Sequence, residues 1–150
     1  MELFEAKVKY DKICENGLIK KVPEQYVVEA LSFTEAEARV TKDIAQFSSG
    51  EFEVSDLKRS RVTEVIESED AADTWYKATV AFVTIDEKTD KEKRTLSYFL
   101  IQGKDLNDAR ETLLKWLGKG MADYVVVSIA ETKILDILRY VAPAEAEKKD

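Results

Sequence analysis

The chain has 150 residues, 35% of them charged, and a formal net charge of −7. That composition fits a soluble globular protein and argues against disorder. The negative sign opposes loose adhesion to phosphate backbones and anionic membrane surfaces. The acidic excess sits in residues 1–74, which carry 17 acidic and 10 basic side chains, against 13 of each in residues 75–150.

Along residues 4–14, Ala6, Val8 and Tyr10 alternate with Lys7, Lys9 and Asp11, the period-two pattern of a strand with one wet face. Asn16-Gly17 signals a hairpin turn. A second strand is predicted to run to about Leu31, with Pro23 marking an edge or irregular stretch because it has no amide to donate. Ser32-Phe33-Thr34-Glu35 reads as a capping box. Phe33, Ala36, Val40, Ile44 and Phe47 then recur at helical spacing, and Ser48-Ser49-Gly50 ends the helix. An extended segment from Phe52 to about Ile66 follows, with a bulge or bend expected near Lys58–Arg61. Residues 68–74 form a polar connector.

The order then repeats. Phe4, Ala6, Val8, Tyr10, Ile13, Glu15, Lys21 and Tyr26 fall, 72 positions on, upon Tyr76, Ala78, Val80, Phe82, Ile85, Glu87, Lys93 and Tyr98. Six of these eight pairs are identical and two exchange one aromatic for another, so an internal duplication is inferred. A strand covers Trp75–Ile85, a charged turn Glu87–Lys93, and a strand Arg94–Gln102. Asp105 caps a helix carrying Leu106, Ala109, Leu113 and Leu117. These match the first helix at an offset of 73, with the extra residue assigned to the Gly103-Lys104 turn. Tyr124–Ile129 is strongly β-prone. Residues 132–141 fit either a continuing strand or a short helix, and 142–150 read as a flexible tail.

The expected fold is therefore α+β: a duplicated strand-strand-helix-strand unit with about six strands, two long helices on one face and a pseudo-two-fold relation between the halves. The repeats, about 3–68 and 75–141, are each near the lower size limit for an independent core, so one shared domain is expected. At an offset of 72, Lys9, Asp11, Val27 and Glu29 correspond to Ala81, Val83, Phe99 and Ile101. These four are the candidate interface. They point either to burial within the sheet or to a homodimer contact.

The stretch Tyr26–Val40 (YVVEALSFTEAEARV) resembles a family of uncharacterised small proteins from gut anaerobes and their phages. Glu64-Val65-Ile66 and Glu131–Asp136 extend the likeness over most of the chain. The resemblance implies an intracellular bacterial or mobile-element setting and supplies no site residues.

The chemistry is narrowed by what is missing from the sequence. There is no histidine, and Cys14 is the only cysteine. An intrachain disulfide and Cys/His zinc sites are thus excluded, along with the commonest general base. No phosphate-binding Gly-rich loop or nucleophile elbow occurs. The acidic run Glu67–Asp73 lacks the spacing of a calcium loop and reads as a solvated linker. Cys14 has no activating neighbour. No catalytic, cofactor-binding or metal residue is assigned. Trp75 and Trp116 read as packing anchors. With neither a signal peptide nor a membrane-length apolar run, a cytoplasmic location is expected.

Two binding readings remain. The first is a non-catalytic protein-binding or assembly protein that self-associates, as a homodimer, through Ala81, Val83, Phe99 and Ile101. The alternative is a nucleic-acid-binding accessory protein of phage or mobile-element origin that uses the basic cluster Lys58, Arg59 and Arg61.

Overall fold

The structure is a computed structural model and describes residues 2–13, 15–46, 51–68 and 74–140. The chain forms two compact units. The first runs as far as Ser60 and resumes at Ile134; the second is Arg61–Lys133. The expected tail 142–150, Cys14, Ser48-Ser49-Gly50 and residues 69–73 of the acidic run lie outside the described residues.

In the first unit, β1 (Glu2–Ile13) and β2 (Ile19–Ala30) form an antiparallel hairpin. At its turn Gly17 adopts φ 79°, and the Asn16 side chain accepts from the Leu18 amide at 3.2 Å. Helix α1 (Phe33–Ala45) starts where Ser32 accepts from the Glu35 amide at 3.2 Å. Strand β3 (Phe52–Arg59) pairs antiparallel with β1, and β8 (Ile134–Leu138) pairs parallel with β2, giving the order β3-β1-β2-β8. Phe4, Ala6, Val8, Val28 and Ala30 face Ala36, Val40 and Ile44 of α1 in one core. The strand period of two and the helix period of 3.6 put all of these on facing surfaces. Each large side chain buried there contributes about 1.5–3 kcal/mol.

The second unit contains β4 (Val62–Ile66), β5 (Thr74–Ile85), β6 (Glu92–Gly103), α2 (Leu106–Leu117) and β7 (Asp123–Glu131). Its sheet order is β4-β6-β5-β7, with β4 parallel to β6. Asp105 caps α2, accepting from the Asp108 amide at 2.8 Å, while Asp108 accepts from the Lys104 amide at 2.9 Å. Tyr76, Ala78, Val80, Phe99 and Ile101 pack against Ala109, Leu113 and Leu117.

The α+β class holds, but the layout differs from the sequence expectation. The described residues form eight strands in two four-stranded sheets rather than about six, and each helix packs on its own sheet. Each long extended segment is two strands, broken at Ser60-Arg61 and Thr132-Lys133. At the first break the Ser60 amide still reaches the Leu3 carbonyl at 2.8 Å. At the second, the Thr132 amide reaches the Trp75 carbonyl at 2.9 Å. Beyond these bonds the chain leaves β1 or β5 and pairs elsewhere. The bend therefore falls within Lys58–Arg61 as expected, whereas the bulge lies farther back, opposite Lys7/Val8. Residues 134–138 are strand, which decides the strand-or-helix alternative for that segment.

A register difference has larger consequences. Phe4 pairs with Val28 and Tyr76 with Ile101, so the second hairpin strands correspond at an offset of 73, not 72. The extra residue lies in the β5–β6 turn, not at Gly103-Lys104. A one-residue slip moves every side chain of a strand to the other face. Phe99 and Ile101 thus correspond to Tyr26 and Val28 on the core face.

Gly103 sits where β6 passes closest to α2: a Cβ there would lie 3.0 Å from the Ala109 nitrogen and 3.1 Å from its Cβ. Gly103→Val is expected to destabilise the protein by about 1–3 kcal/mol through overpacking. Urea unfolding measures this, and an unchanged midpoint would show that α2 gives way freely.

Candidate functional site

The candidate basic cluster does not form one cationic strip. Lys58 and Arg59 are consecutive on β3 and so point to opposite faces. Lys58 lies opposite Glu5. Arg59 pairs with Glu2 at 3.3 Å and lies over the Phe33 ring at 4.9 Å, while Phe33 meets Phe4 edge-on at 4.8 Å. Arg61 is exposed beyond the strand break.

Nor do the four candidate interface residues share a face. Phe99 and Ile101 are 1% and 0% exposed beneath α2. Ala81 and Val83 lie on the opposite face of the sheet; Ala81 is buried and Val83 half-buried. On that opposite face, Ala81 stands in register between Val125 of β7 and Leu96 of β6, which are 42% and 53% exposed. Val83 stands between Asp123 and Arg94, both exposed, and Ile85 is exposed at the strand end. An apolar patch thus continues to the hairpin tip with an acid on one side and a base on the other. The corresponding positions of the first sheet are Lys9, Asp11, Pro23 and Glu53, so the fold itself does not require apolar residues there.

The first unit carries a polar cluster that has no equivalent in the second. Glu24 accepts from the Tyr10 hydroxyl at 2.5 Å with one carboxylate oxygen and from the Tyr26 hydroxyl at 2.7 Å with the other. The hydrogen bond to Glu24, aided by burial and by the carboxylate charge, pushes the Tyr10 phenol up to about 12. Tyr26 is raised as well, chiefly by burial and then by its bond to Glu24. The second unit has Phe82, Ser97 and Phe99 at these three positions, and Phe99 meets Trp116 edge-on at 5.0 Å.

Beside α2, a cavity of about 400 Å3 is lined by Glu67, Ser68, Asp108, Thr112, Lys115, Trp116 and Lys119. A neighbouring, more apolar cavity of about 360 Å3 shares Trp116 and Lys119 and adds Phe82 and Leu117. Trp116, read from sequence as a packing anchor, is 37% exposed and lines both cavities, whereas Trp75 is buried. The sequence signal for this site is the change from Arg39 to Thr112 at matched helix positions, which is legible only once the 73-residue offset is known. Among the described residues, no three carboxylates or thiols converge closely enough to hold a metal ion. No helix there is long and apolar enough to cross a membrane.

The family model described as a domain of unknown function (DUF4494) matches residues 2–140, and the chain belongs to that family. No curated protein and no solved structure matches the chain.

Two effects of the Glu24 cluster are measurable. Glu24→Ala leaves two part-buried hydroxyls without their acceptor and is expected to cost about 1–3 kcal/mol in urea unfolding. The Tyr10 phenol holds its proton more tightly in the folded state than at its ordinary value of 10.0. The resulting stabilisation is complete below pH 10 and is lost as pH rises through about 12. Tyr10→Phe is expected to flatten the alkaline fall in stability; an identical pH profile would show that Tyr10 does not contribute to it.

Proposed function

We infer that the protein is a non-catalytic binding or assembly protein that self-associates as a homodimer through the helix-free face of the second sheet. The observation that carries this reading is the patch of Ala81, Val83, Leu96 and Val125, where the first sheet has Lys9, Asp11, Pro23 and Glu53; Ile85, whose counterpart is Ile13, extends it to the hairpin tip. Arg94 and Asp123 flank Val83 on the same face. A two-fold axis through the patch would set Arg94 of one copy against Asp123 of the other, the self-complementarity that an isologous contact needs. This replaces the four-residue interface expected from sequence, keeping Ala81 and Val83 and dropping Phe99 and Ile101. Duplication of an ancestral unit is part of the same reading. It is supported by matching sheet orders and by cores that correspond at offsets of 72 and 73. After duplication one copy kept a polar outer face while the other became adhesive.

Sedimentation equilibrium tests the dimer. The wild-type chain is expected to dimerise, and Leu96→Asp or Val125→Asp to weaken association at least about tenfold. Arg94→Asp alone is expected to weaken it, and Arg94→Asp combined with Asp123→Arg to restore it. A wild-type chain that stays monomeric at millimolar concentration, or a charge swap that restores nothing, contradicts this reading.

A further inference from the structure

The two units treat the same notch differently. In the first, Arg39 projects from α1 and donates to the backbone carbonyls of Glu29, at 3.0 Å, and Arg139. The Glu29 carboxylate accepts from the Tyr140 amide at 3.0 Å and pairs with Arg139 at 3.5 Å. The guanidinium of Arg39 therefore occupies the space between the helix and the chain leaving β8.

The second unit keeps this scaffold. The Ser68 amide donates to the Gln102 side chain at 3.1 Å, as the Tyr140 amide donates to Glu29. Leu3 pairs with Glu29 as Trp75 pairs with Gln102, which fixes the correspondence. Thr112 stands on α2 where Arg39 stands on α1, and Glu67 stands where Arg139 does. Shortening the helix side chain opens the 400 Å3 cavity. Its wall carries two carboxylates, Glu67 and Asp108, two ammonium groups, Lys115 and Lys119, and the ring of Trp116.

We propose that this cavity binds the guanidinium group of an external arginine, taking up from outside what the first unit supplies from its own chain. Guanidinium is planar, pairs with carboxylates through a fork of N–H donors and stacks on aromatic faces. Glu67, Asp108 and Trp116 provide those partners. Lys115 in the last turn of α2 and Lys119 just past the helix end also line the cavity and suit a carboxylate held beside the guanidinium. The favoured ligand is therefore free arginine or a peptide with a C-terminal arginine. Like-charge repulsion from the two lysines disfavours a guanidinium that arrives without a carboxylate.

Calorimetric titration of the full chain with L-arginine, agmatine, L-lysine and a short peptide ending in arginine, free or amidated, tests the proposal, with Trp116 fluorescence as a second readout. Saturable binding of L-arginine or the free-ended peptide is expected, and whichever binds more tightly identifies the source of the arginine. Agmatine, the amidated peptide and lysine should each bind at least about tenfold more weakly. Thr112→Arg rebuilds the plug seen in the first unit and should abolish binding with the far-ultraviolet circular dichroism unchanged. Should that variant misfold, Glu67→Gln provides the same test, with an expected loss of at least about fivefold. Trp116→Phe should remove the fluorescence change. The proposal is overturned if neither L-arginine nor the free-ended peptide binds saturably up to about 10 mM, if lysine binds as well as arginine, or if a folded Thr112→Arg chain binds unchanged.

Discussion

The parallel pairing of β8 with β2 and of β4 with β6 is the constraint on which the rest of the structure depends. Each sheet draws its fourth strand from the segment that follows the other unit's third strand. Parallel pairing cannot be reached by a tight turn and needs a long connection; β2 and β8 are joined through α1, β3 and the whole second unit, and β4 and β6 through residues 67–91, which include β5. Ile134 and Ile137 are 9% and 8% exposed, and Val62 is 8% exposed, so these short strands are held by apolar burial as well as by ladder bonds. They also deliver Arg139 and Tyr140 to the notch beside α1, and Glu67 and Ser68 to the notch beside α2. The difference between a plugged notch and an open one follows from that delivery.

Within each unit the local rules agree with one another. Strand alternation, capping at Ser32 and Asp105, and the helical stripes Ala36-Val40-Ile44 and Ala109-Leu113-Leu117 all direct apolar surface to one core. Such consistency across levels marks a sequence that specifies a single fold. The units diverge where the core does not need them alike. Tyr10, Glu24 and Tyr26 give way to Phe82, Ser97 and Phe99, and Arg39 gives way to Thr112. The first unit satisfies its own polar groups, while the second presents an aromatic-lined cavity and an apolar outer patch. The two proposed functions both fall on the second unit for that reason.

Much of this was legible in the sequence. The order of elements, both helix starts, the Asn16-Gly17 turn and the bend near Ser60 follow from periodicity and turn chemistry, which are local. What is not legible is non-local. Nothing in residues 62–66 or 134–138 tells which sheet they join, because a five-residue apolar strand fits either edge. The strand face of Phe99 and Ile101 is obscured because Tyr98 matches Tyr26 as an identity, and that coincidence hides the extra residue in the turn. The actual counterpart, Phe99, is also aromatic, so sequence similarity alone did not separate the two registers. The Tyr10–Glu24–Tyr26 cluster and the Arg39–Arg139 contact join residues up to 100 positions apart, beyond the reach of any pattern along the chain.

Site-resolved amide hydrogen exchange on an Ile137→Asp chain tests the strand exchange most directly. Ile137 is 8% exposed, so a carboxylate there would be buried without a partner and would strip β8 from β2. Faster exchange is expected in Ile134–Leu138 and in Tyr26–Val28 of β2, with Tyr98–Ile101 of β6 still protected. Loss of protection in β6 with β2 unchanged would mean that the last strand pairs with β6 instead of β2, which contradicts the strand exchange.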